Sequence, residues 1–141
     1  MSPAIALIKK FEGCCLTTYL CPAGIPTIGY GHTGPDVQMG MTITQEQADG
    51  LLNADLEEFS AGVDAAVKVT INANQRGALI SFAYNCGLNN LRHSTLIRKV
   101  NSENHAAAAA QFGKWNMAGG KVLPGLVTRR AAEAALYQEE I

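Results

Sequence analysis

A long stripe of apolar residues at helical spacing in the middle of the chain is the feature that most limits how this sequence can fold. Thr44 and Gln47 have the spacing of a capping box, so a helix is expected to begin there. The stripe continues for roughly five and a half turns at 3.6 residues per turn. Its members are Ala48, Leu51, Leu52, Leu56, Phe59, Val63 and Val67. We expect so long a helix to connect two lobes that have a cleft between them.

Shorter helices are expected on both sides of this stripe. One over residues 4–11 is expected to end near Glu12, because Gly13 is a natural stop. Three more are expected to begin at Asn72 with Gln75, at Ser94 and at Ser102, and the third of these is expected to end at Phe112. A break is expected at Gly119-Gly120, and a last helix is expected over residues 126–137. The total is about six helices.

The segment of about residues 14–43 is rich in threonine, isoleucine and tyrosine, which favour strands, and glycines divide it into short pieces. A small β-hairpin cannot bury itself alone. The sequence therefore predicts an α+β, mostly helical, two-lobe fold. In it, a long helix joins a small N-terminal β-hairpin region to a helical C-terminal lobe. No linker or repeat marks a second domain, so residues 1–141 are expected to form a single domain.

Composition narrows the classes of function. Hydrophobic residues make up 48% of the chain, enough for a packed core, and the net charge is −1. No strongly basic face is implied, so we expect no nucleic-acid partner. The longest apolar-looking run, residues 106–110, is too short to cross a bilayer, and the start of the chain lacks a signal-peptide pattern. We therefore expect no stable membrane anchor in this chain.

The cysteines are Cys14, Cys15, Cys21 and Cys86, and they form no C-x-x-C pair. The three histidines are scattered along the sequence. This spacing argues against a structural zinc site and against a thiol redox protein, so no metal and no cofactor are expected. Cys15 and Cys86 are expected to be small core residues.

Glu12 stands where the first helical pattern stops. The negative end of the helix dipole disfavours a second negative charge there, and partial burial adds to that effect. Such a position favours a carboxyl group that keeps its proton, which is what a general acid needs. The alternative is a solvated acid at a helix end.

The spacing of Glu12, Cys21 and Thr27, followed by the glycine-rich turn in TIGYGHT, resembles the signature of the phage-type lysozymes, the endolysin muramidases of glycoside hydrolase family 24. Later segments are also similar to the family: MTITQEQADGLLNADL, SFAYNCG, STLIRKVN and LPGLVTRRAAEAALY. The resemblance covers essentially the whole chain and implies a lysozyme-like catalytic domain.

The resemblance implies hydrolysis of the β-1,4 bond between N-acetylmuramic acid and N-acetylglucosamine in bacterial peptidoglycan. Glu12 is implied to protonate the departing glycosidic oxygen. Cys21 occupies a position where many family members have Asp, and with Thr27 it is implied to hold the attacking water. The family's usual outcome is inversion at the anomeric carbon; a covalent thioglycosyl intermediate on Cys21 is the alternative.

By the same resemblance, Gly31, His32 and Asn85 are candidate substrate-binding residues. For His32 we favour a structural role, in which it pairs with an acid and pins the β region. The side chain of Asn85 is implied to contact an N-acetyl group or a sugar hydroxyl, or else to cap a helix before Gly87.

Two pairs of large residues in the last third of the chain are expected to lie in different environments. Arg129 and Arg130 are expected either to face anionic wall polymer or to be solvated near Glu133. Phe112 and Trp115 are expected in the core rather than on a sugar platform.

Cys14 and Cys15 lie close to Cys21 along the chain. The segment 14–21 is expected to be short and turn-like, so that its ends could meet. Family members with a releasable membrane anchor are held inactive by a disulfide at the catalytic position. The resemblance therefore implies a regulatory disulfide from Cys21 to Cys14 or Cys15, with Cys21 free and active when reduced.

The resemblance also implies a biological setting. As an endolysin, the protein is expected to act as a monomer and to lyse the host. It would remain in the host cytoplasm until a holin opens the membrane, and then attack the wall in the periplasm. Two alternatives are a catalytically weak peptidoglycan-binding module and a transglycosylase, which leaves an anhydro sugar end.

Overall fold

The computed structural model describes residues 3–21 and 23–139. Their α-helices are α1 (Pro3–Glu12), α2 (Gln45–Ala66), α3 (Ala73–Cys86), α4 (Leu88–Arg92), α5 (Thr95–Asn101), α6 (His105–Gln111) and α7 (Pro124–Gln138), with a 3-10 turn over Phe112–Lys114. Their strands are β1 (Cys15–Leu20), β2 (Pro26–Gly29), β3 (Met117–Ala118) and β4 (Lys121–Val122). These elements confirm the predicted mostly helical α+β class.

The chain divides into two compact units. The first, called the hairpin unit, is Ile8–Glu58, and the second, called the helical unit, takes in residues up to 7 and from 59 onward. The boundaries fall inside α1 and α2, so both helices contribute residues to both units. That residues 1–141 act as a single domain stays a prediction.

The hairpin unit is built around β1 and β2, which pair antiparallel with Tyr19 opposite Thr27. The register shifts between Cys15 and Tyr19, as at a β-bulge, which bends the strand. The Thr18 N–H donates to the Met41 carbonyl at 3.0 Å, so β1 also has a backbone bond to the segment before α2. The hairpin predicted at about residues 14–43 is confirmed.

Helix capping follows the sequence pattern closely. The Thr44 hydroxyl accepts from the Gln47 N–H at 3.1 Å, and the Gln47 side chain accepts from the Thr44 N–H at 2.9 Å. Asn72 and Gln75 make the same reciprocal pair at 2.7 and 2.9 Å before α3. The Ser94 hydroxyl accepts from a backbone N–H of α5 at 3.1 Å. Three of the four predicted caps are therefore confirmed, and each satisfies N–H groups that a helix start leaves unpaired.

Phe82 on α3 lies in the core of the helical unit. The rings of Phe112 and Trp115 meet it edge-on, with centroids 5.8 and 5.4 Å away. Phe82 and Phe112 are fully buried, while Trp115 is half-buried. The prediction that Phe112 is a core residue is confirmed, and Trp115 packs on that core through an aromatic contact of the kind that stabilises interiors.

One sequence expectation for the helical unit was wrong, and two of its features were not foreseen. Ser102 does not cap the alanine-rich helix; it ends α5, and Asn104 caps α6 by accepting from the Ala107 N–H at 3.3 Å. The short helix α4 was not predicted, because five residues are too few to show a helical period. The break at Gly119-Gly120 is the turn of a second hairpin, β3–β4, in which both glycines have positive φ.

Arg129 and Arg130 are buried, so both interpretations that placed them in solvent or against a polymer were wrong. They enclose Glu133, which is also fully buried: Arg130 Nε lies 2.7 Å from Glu133 Oε1, and Arg129 Nε lies 3.4 Å from Oε2. The Ser81 hydroxyl donates to Glu133 Oε2 at 2.6 Å. Charges so far from water persist only when paired, so this cluster is part of the core.

Cys86 borders the same cluster and is not a simple core filler. The thiol is half-buried, and the Arg130 Nη1 group donates to its sulfur at 2.6 Å. Burial raises the pKa of Cys86, against the effect of the Arg130 charge. The expectation for Cys15 was wrong, because its side chain is exposed.

No helix within residues 3–21 and 23–139 is long and apolar enough to cross a membrane.

Candidate active site

Glu12 is the last residue of α1, as the sequence predicted. The helix stops there because Gly13 adopts φ of 65°, a left-handed conformation that glycine tolerates best. The Gly13 N–H still donates to the Lys9 carbonyl at 3.2 Å. The carboxyl group is thus carried by a regular helix end rather than by a loop.

The turn after β2 packs directly against that carboxyl group. Ile28 and His32 exchange backbone hydrogen bonds of 2.9 Å in both directions, which closes a tight turn with φ of 66° at Gly29 and 74° at Gly31. A Cβ atom on Gly31 would lie 2.6 Å from Glu12 Oε1. Any side chain at position 31 would therefore displace Glu12, so the structure brings these two predicted residues together.

Cys21 and Thr27 meet at the other end of the hairpin. The Cys21 N–H donates to the Ile25 carbonyl at 3.0 Å, and the Gly24 N–H donates to the Cys21 carbonyl at 2.8 Å, closing the turn between the strands. Thr27 is only 3% exposed, and its hydroxyl donates to the Ile25 carbonyl at 2.8 Å.

The same turn sets the chemistry of the Cys21 thiol. Hydrogen bonds from the backbone of Ile25, then of Ala23, and from the Thr27 hydroxyl lower the pKa of Cys21, against a smaller opposing effect of burial. A lowered pKa means more thiolate near neutral pH, and the thiolate is the form that acts as base or nucleophile. Two of the residues predicted from the motif therefore lie close enough for one to affect the pKa of the other.

His32 is clamped between two carboxylates. Its Nδ1 lies 2.6 Å from Asp55 on α2, and its Nε2 lies 2.9 Å from Asp36. The structure thus shows the pairing with an acid that was favoured for His32. This pairing holds the turn that carries Gly31. Neither aspartate was singled out in the sequence, because the contact with Asp55 spans 23 residues and leaves no local pattern.

The His32 clamp predicts a pH-dependent stability. Burial lowers the pKa of His32, but the hydrogen bonds and charges of Asp55 and Asp36 outweigh burial and raise it overall. A folded-state pKa above the unfolded value of about 6.5 stabilises the fold fully below about pH 6.5, and that contribution is lost as the pH rises through the folded-state pKa. Asp55→Asn should therefore lower the free energy of unfolding by about 1.5–3 kcal/mol at about pH 5.5, and by less at alkaline pH.

Urea unfolding of wild type and variant across pH measures this difference. Asp36→Asn is the matched control: the Asp36 side chain is 58% exposed, so its loss should cost less than about 1 kcal/mol. A cost for Asp55→Asn that stays constant from acid to alkaline pH would contradict the role of the charged histidine.

Asn85 and the remaining cysteines lie elsewhere. Asn85 is exposed on α3 in the helical unit, and α3 ends one residue later, with Gly87 as its cap. Cys14 and Cys15 are exposed in the hairpin unit, and the Cys14 thiol lies 3.7 Å from the Gln45 side chain. No disulfide joins any of these four cysteines in the structure. Within residues 3–21 and 23–139, no group of three or more His, Cys, Asp or Glu side chains could hold a metal ion.

Tyr19 was not singled out in the sequence. This residue lies directly opposite Thr27 in the hairpin, two positions before Cys21. The alternation of side chains in extended chain was the available signal, since residues two apart in such a segment face the same side.

A glutamate at a helix end and packed on a glycine turn, in the same hairpin unit as Cys21 and Thr27, together with the mostly helical fold, defines a lysozyme-like protein. The phage lysozyme family model matches residues 9–133. The chain belongs to the phage lysozyme family.

Individual relatives agree with that family. The chain is 48% identical over 138 residues to the endolysin of Bacillus phage PZA, covering 94% of this chain and 52% of that protein. The solved endolysin from Escherichia coli O157:H7 phage FAHEc1 matches with a TM-score of 0.90 and 40% identity, covering 100% of this chain and 94% of that one. The solved muramidase domain of SpmX from Asticaccaulis excentricus matches with a TM-score of 0.90 and 34% identity. The match covers 99% of this chain and 97% of that domain. The chain spans about half the length of the phage PZA endolysin.

Proposed function

We propose that this chain hydrolyses the β-1,4 bond between N-acetylmuramic acid and N-acetylglucosamine in peptidoglycan. The observation that carries the proposal is the hairpin unit itself, in which Glu12 is packed on the Gly31 turn and Thr27 lies close enough to Cys21 to lower the pKa of its thiol. Relatives named endolysin and muramidase support the same chemistry.

Glu12 is the proton donor in this scheme. Cleavage of a glycosidic bond needs an acid that protonates the departing oxygen while positive charge develops on the sugar ring. Gly31 contributes by allowing the turn to approach the carboxyl group closely, which restricts how the group can rotate. A side chain fixed in this way loses less entropy when it meets the glycosidic oxygen.

Cys21 and Thr27 provide the other half of the reaction. The Cys21 thiolate accepts a proton from water, and the water oxygen bonds to the anomeric carbon as the glycosidic C–O bond breaks and its oxygen takes the proton of Glu12. The hydroxyl of Thr27 helps to orient that water. This scheme inverts the anomeric configuration, and NMR of the first product formed tests it, because an initially retained product would indicate a covalent intermediate on Cys21.

The direct test of function is release of reducing sugar ends from purified peptidoglycan, together with loss of turbidity of cells stripped of their outer membrane. If the protein hydrolyses peptidoglycan, both the release of reducing ends and the loss of turbidity are expected. Binding to peptidoglycan without release of sugar ends would favour a catalytically weak binding module, and products with anhydro ends would favour a transglycosylase.

The cellular role follows from this activity. We propose that the protein acts as a monomer, remains in the host cytoplasm until a holin opens the membrane, and then lyses the host by cutting its wall from the periplasm. Light scattering tests the monomer, and expression with and without a holin tests the release step. Lysis without the holin would contradict that step.

We also propose that oxidation of Cys21 to a disulfide with Cys14 or Cys15 inhibits the protein, and the structure indicates that forming this disulfide requires a change in the hairpin. The segment 14–21 is not turn-like, because residues Cys15–Leu20 form β1. At about 3.3 Å per residue, the Cα atoms of Cys15 and Cys21 lie on the order of 15–20 Å apart along such a strand, whereas a disulfide needs about 4.4–6.8 Å. A bond from Cys21 to Cys14 or Cys15 therefore requires β1 to leave the hairpin, which would also separate Cys21 from Thr27.

Treatment with diamide, which joins thiols into disulfides, is therefore expected to inactivate the wild-type protein and to leave a Cys14→Ser/Cys15→Ser variant largely active. A Cys86→Ser variant serves as the control and should lose activity as the wild type does. Equal loss of activity in the wild type and the double variant would remove Cys14 and Cys15 from the switch.

A further inference from the structure

Tyr19 shares a face of the hairpin with both halves of the Cys–Thr pair. In an antiparallel pair, residues directly opposite one another have Cβ atoms about 4.5–5.5 Å apart on the same face, and Tyr19 is opposite Thr27. The pairing continues one residue past the end of β1, where the Cys21 N–H donates to the Ile25 carbonyl at 3.0 Å. Residues two apart in such an extended segment face the same way, which places Cys21 on the same face as Tyr19. The phenol of Tyr19 therefore projects over the surface where Cys21 and Thr27 meet.

The hydroxyl group of Tyr19 has no hydrogen-bond partner among residues 3–21 and 23–139, although the side chain is half-buried. Other tyrosines differ: the Tyr137 hydroxyl lies 2.7 Å from His105, and the Tyr30 hydroxyl accepts from Gln45 at 3.0 Å. A partly buried phenol O–H usually finds a partner. This one is available for a ligand.

The acidic groups near Tyr19 favour the protonated phenol, which can donate a hydrogen bond. Burial, and then the charges of Cys15, Glu12 and Cys21, raise the pKa of Tyr19. Since the pKa of Cys21 is lowered while that of Tyr19 is raised, the phenol keeps its proton where the Cys21 thiol loses its own. Glu12 and Cys21 both lie close enough to act on this one side chain.

We propose that Tyr19 is a further substrate-contacting residue, whose phenol O–H donates a hydrogen bond to a sugar oxygen of the glycan bound over the Cys21–Thr27 face. The inference rests on the proposed hydrolysis of peptidoglycan and adds a binding contact to it. Hydroxyl and N-acetyl carbonyl oxygens of the sugar are acceptors that suit an O–H donor.

The test compares Tyr19→Phe, which removes only the hydroxyl, with wild type. The variant is expected to have an unchanged Tm, because no described protein partner is lost, and a kcat/KM on a soluble peptidoglycan tetrasaccharide that is about tenfold lower, the effect of one neutral hydrogen bond. In a Glu12→Gln background, titration calorimetry should show the same tetrasaccharide binding about tenfold more weakly when Tyr19 is also replaced by Phe.

Tyr137→Phe is the matched control, since its hydroxyl does have a protein partner. It should lower Tm by a few degrees and leave kcat/KM and tetrasaccharide affinity unchanged. A Tyr19→Phe variant with wild-type kcat/KM and affinity, or one whose loss of activity follows a loss of Tm, would overturn the inference. If wild type fails to release sugar ends, the proposed function fails, but the calorimetric comparison still reports on the Tyr19 contact.

Discussion

Replacing Glu12 by Gln should reduce hydrolysis of peptidoglycan on the order of 1,000-fold, because the amide cannot give a proton to the departing oxygen. Gln has nearly the same shape as Glu, so the contact with Gly31 is kept and the fold should be retained. Release of reducing ends under conditions of excess substrate measures the loss in turnover, and Tm measures the fold.

Glu57→Gln is the control for this prediction. Glu57 is exposed on α2, so its replacement should leave turnover and stability nearly unchanged. If the Glu12→Gln variant still clears cell walls at a rate near that of wild type, Glu12 is not the acid.

The largest effect on stability is expected from Glu133→Gln. Glu133 is fully buried between Arg129 and Arg130, and the amide would leave two guanidinium groups without a buried counter-charge. Removing one partner from such a cluster costs about 3–5 kcal/mol. Since domains are stable by only about 5–15 kcal/mol, this variant should be close to unfolding, and urea titration will show the shift in midpoint.

A pair of controls separates charge from packing. Glu58→Gln, at an exposed site on α2, should change the free energy of unfolding by less than about 0.5 kcal/mol. Arg130→Met combined with Glu133→Leu should cost less than the sum of the single changes, because the apolar pair leaves fewer unpaired charges. A Glu133→Gln variant as stable as wild type would show that the cluster does not depend on the charge of Glu133.

The parts of the fold that could be predicted from sequence are those set by local chemistry. The reciprocal caps at Thr44–Gln47 and Asn72–Gln75 need only side chains three residues apart, so their spacing is visible in the sequence. Burial of Arg130 with Glu133 could not be predicted in this way, because the same spacing also occurs in solvated helix ion pairs. They lose contact with water when α7 packs against α3 and its other neighbours in the helical unit.

In the candidate site, too, some residues could be predicted from the sequence and others could not. Glu12, Cys21 and Thr27 could be found because their spacing belongs to a recognisable family pattern. The clamp on His32 could not, since Asp55 is distant in sequence and approaches only when α2 is in place. The segment 14–21 was misjudged because its adjacent cysteines and threonines suit a turn or a strand, and pairing with β2 decides between them.

Mass spectrometry of the muropeptides released from purified peptidoglycan tests the central claim most directly, with wild type, Glu12→Gln and Cys21→Ser compared on one substrate. We predict that wild type releases fragments with a hydrated, reducing N-acetylmuramic acid end, that Glu12→Gln releases essentially none, and that Cys21→Ser releases the same fragments much more slowly. Anhydro ends from wild type, or unchanged release by Glu12→Gln, would contradict hydrolysis by this pair of groups.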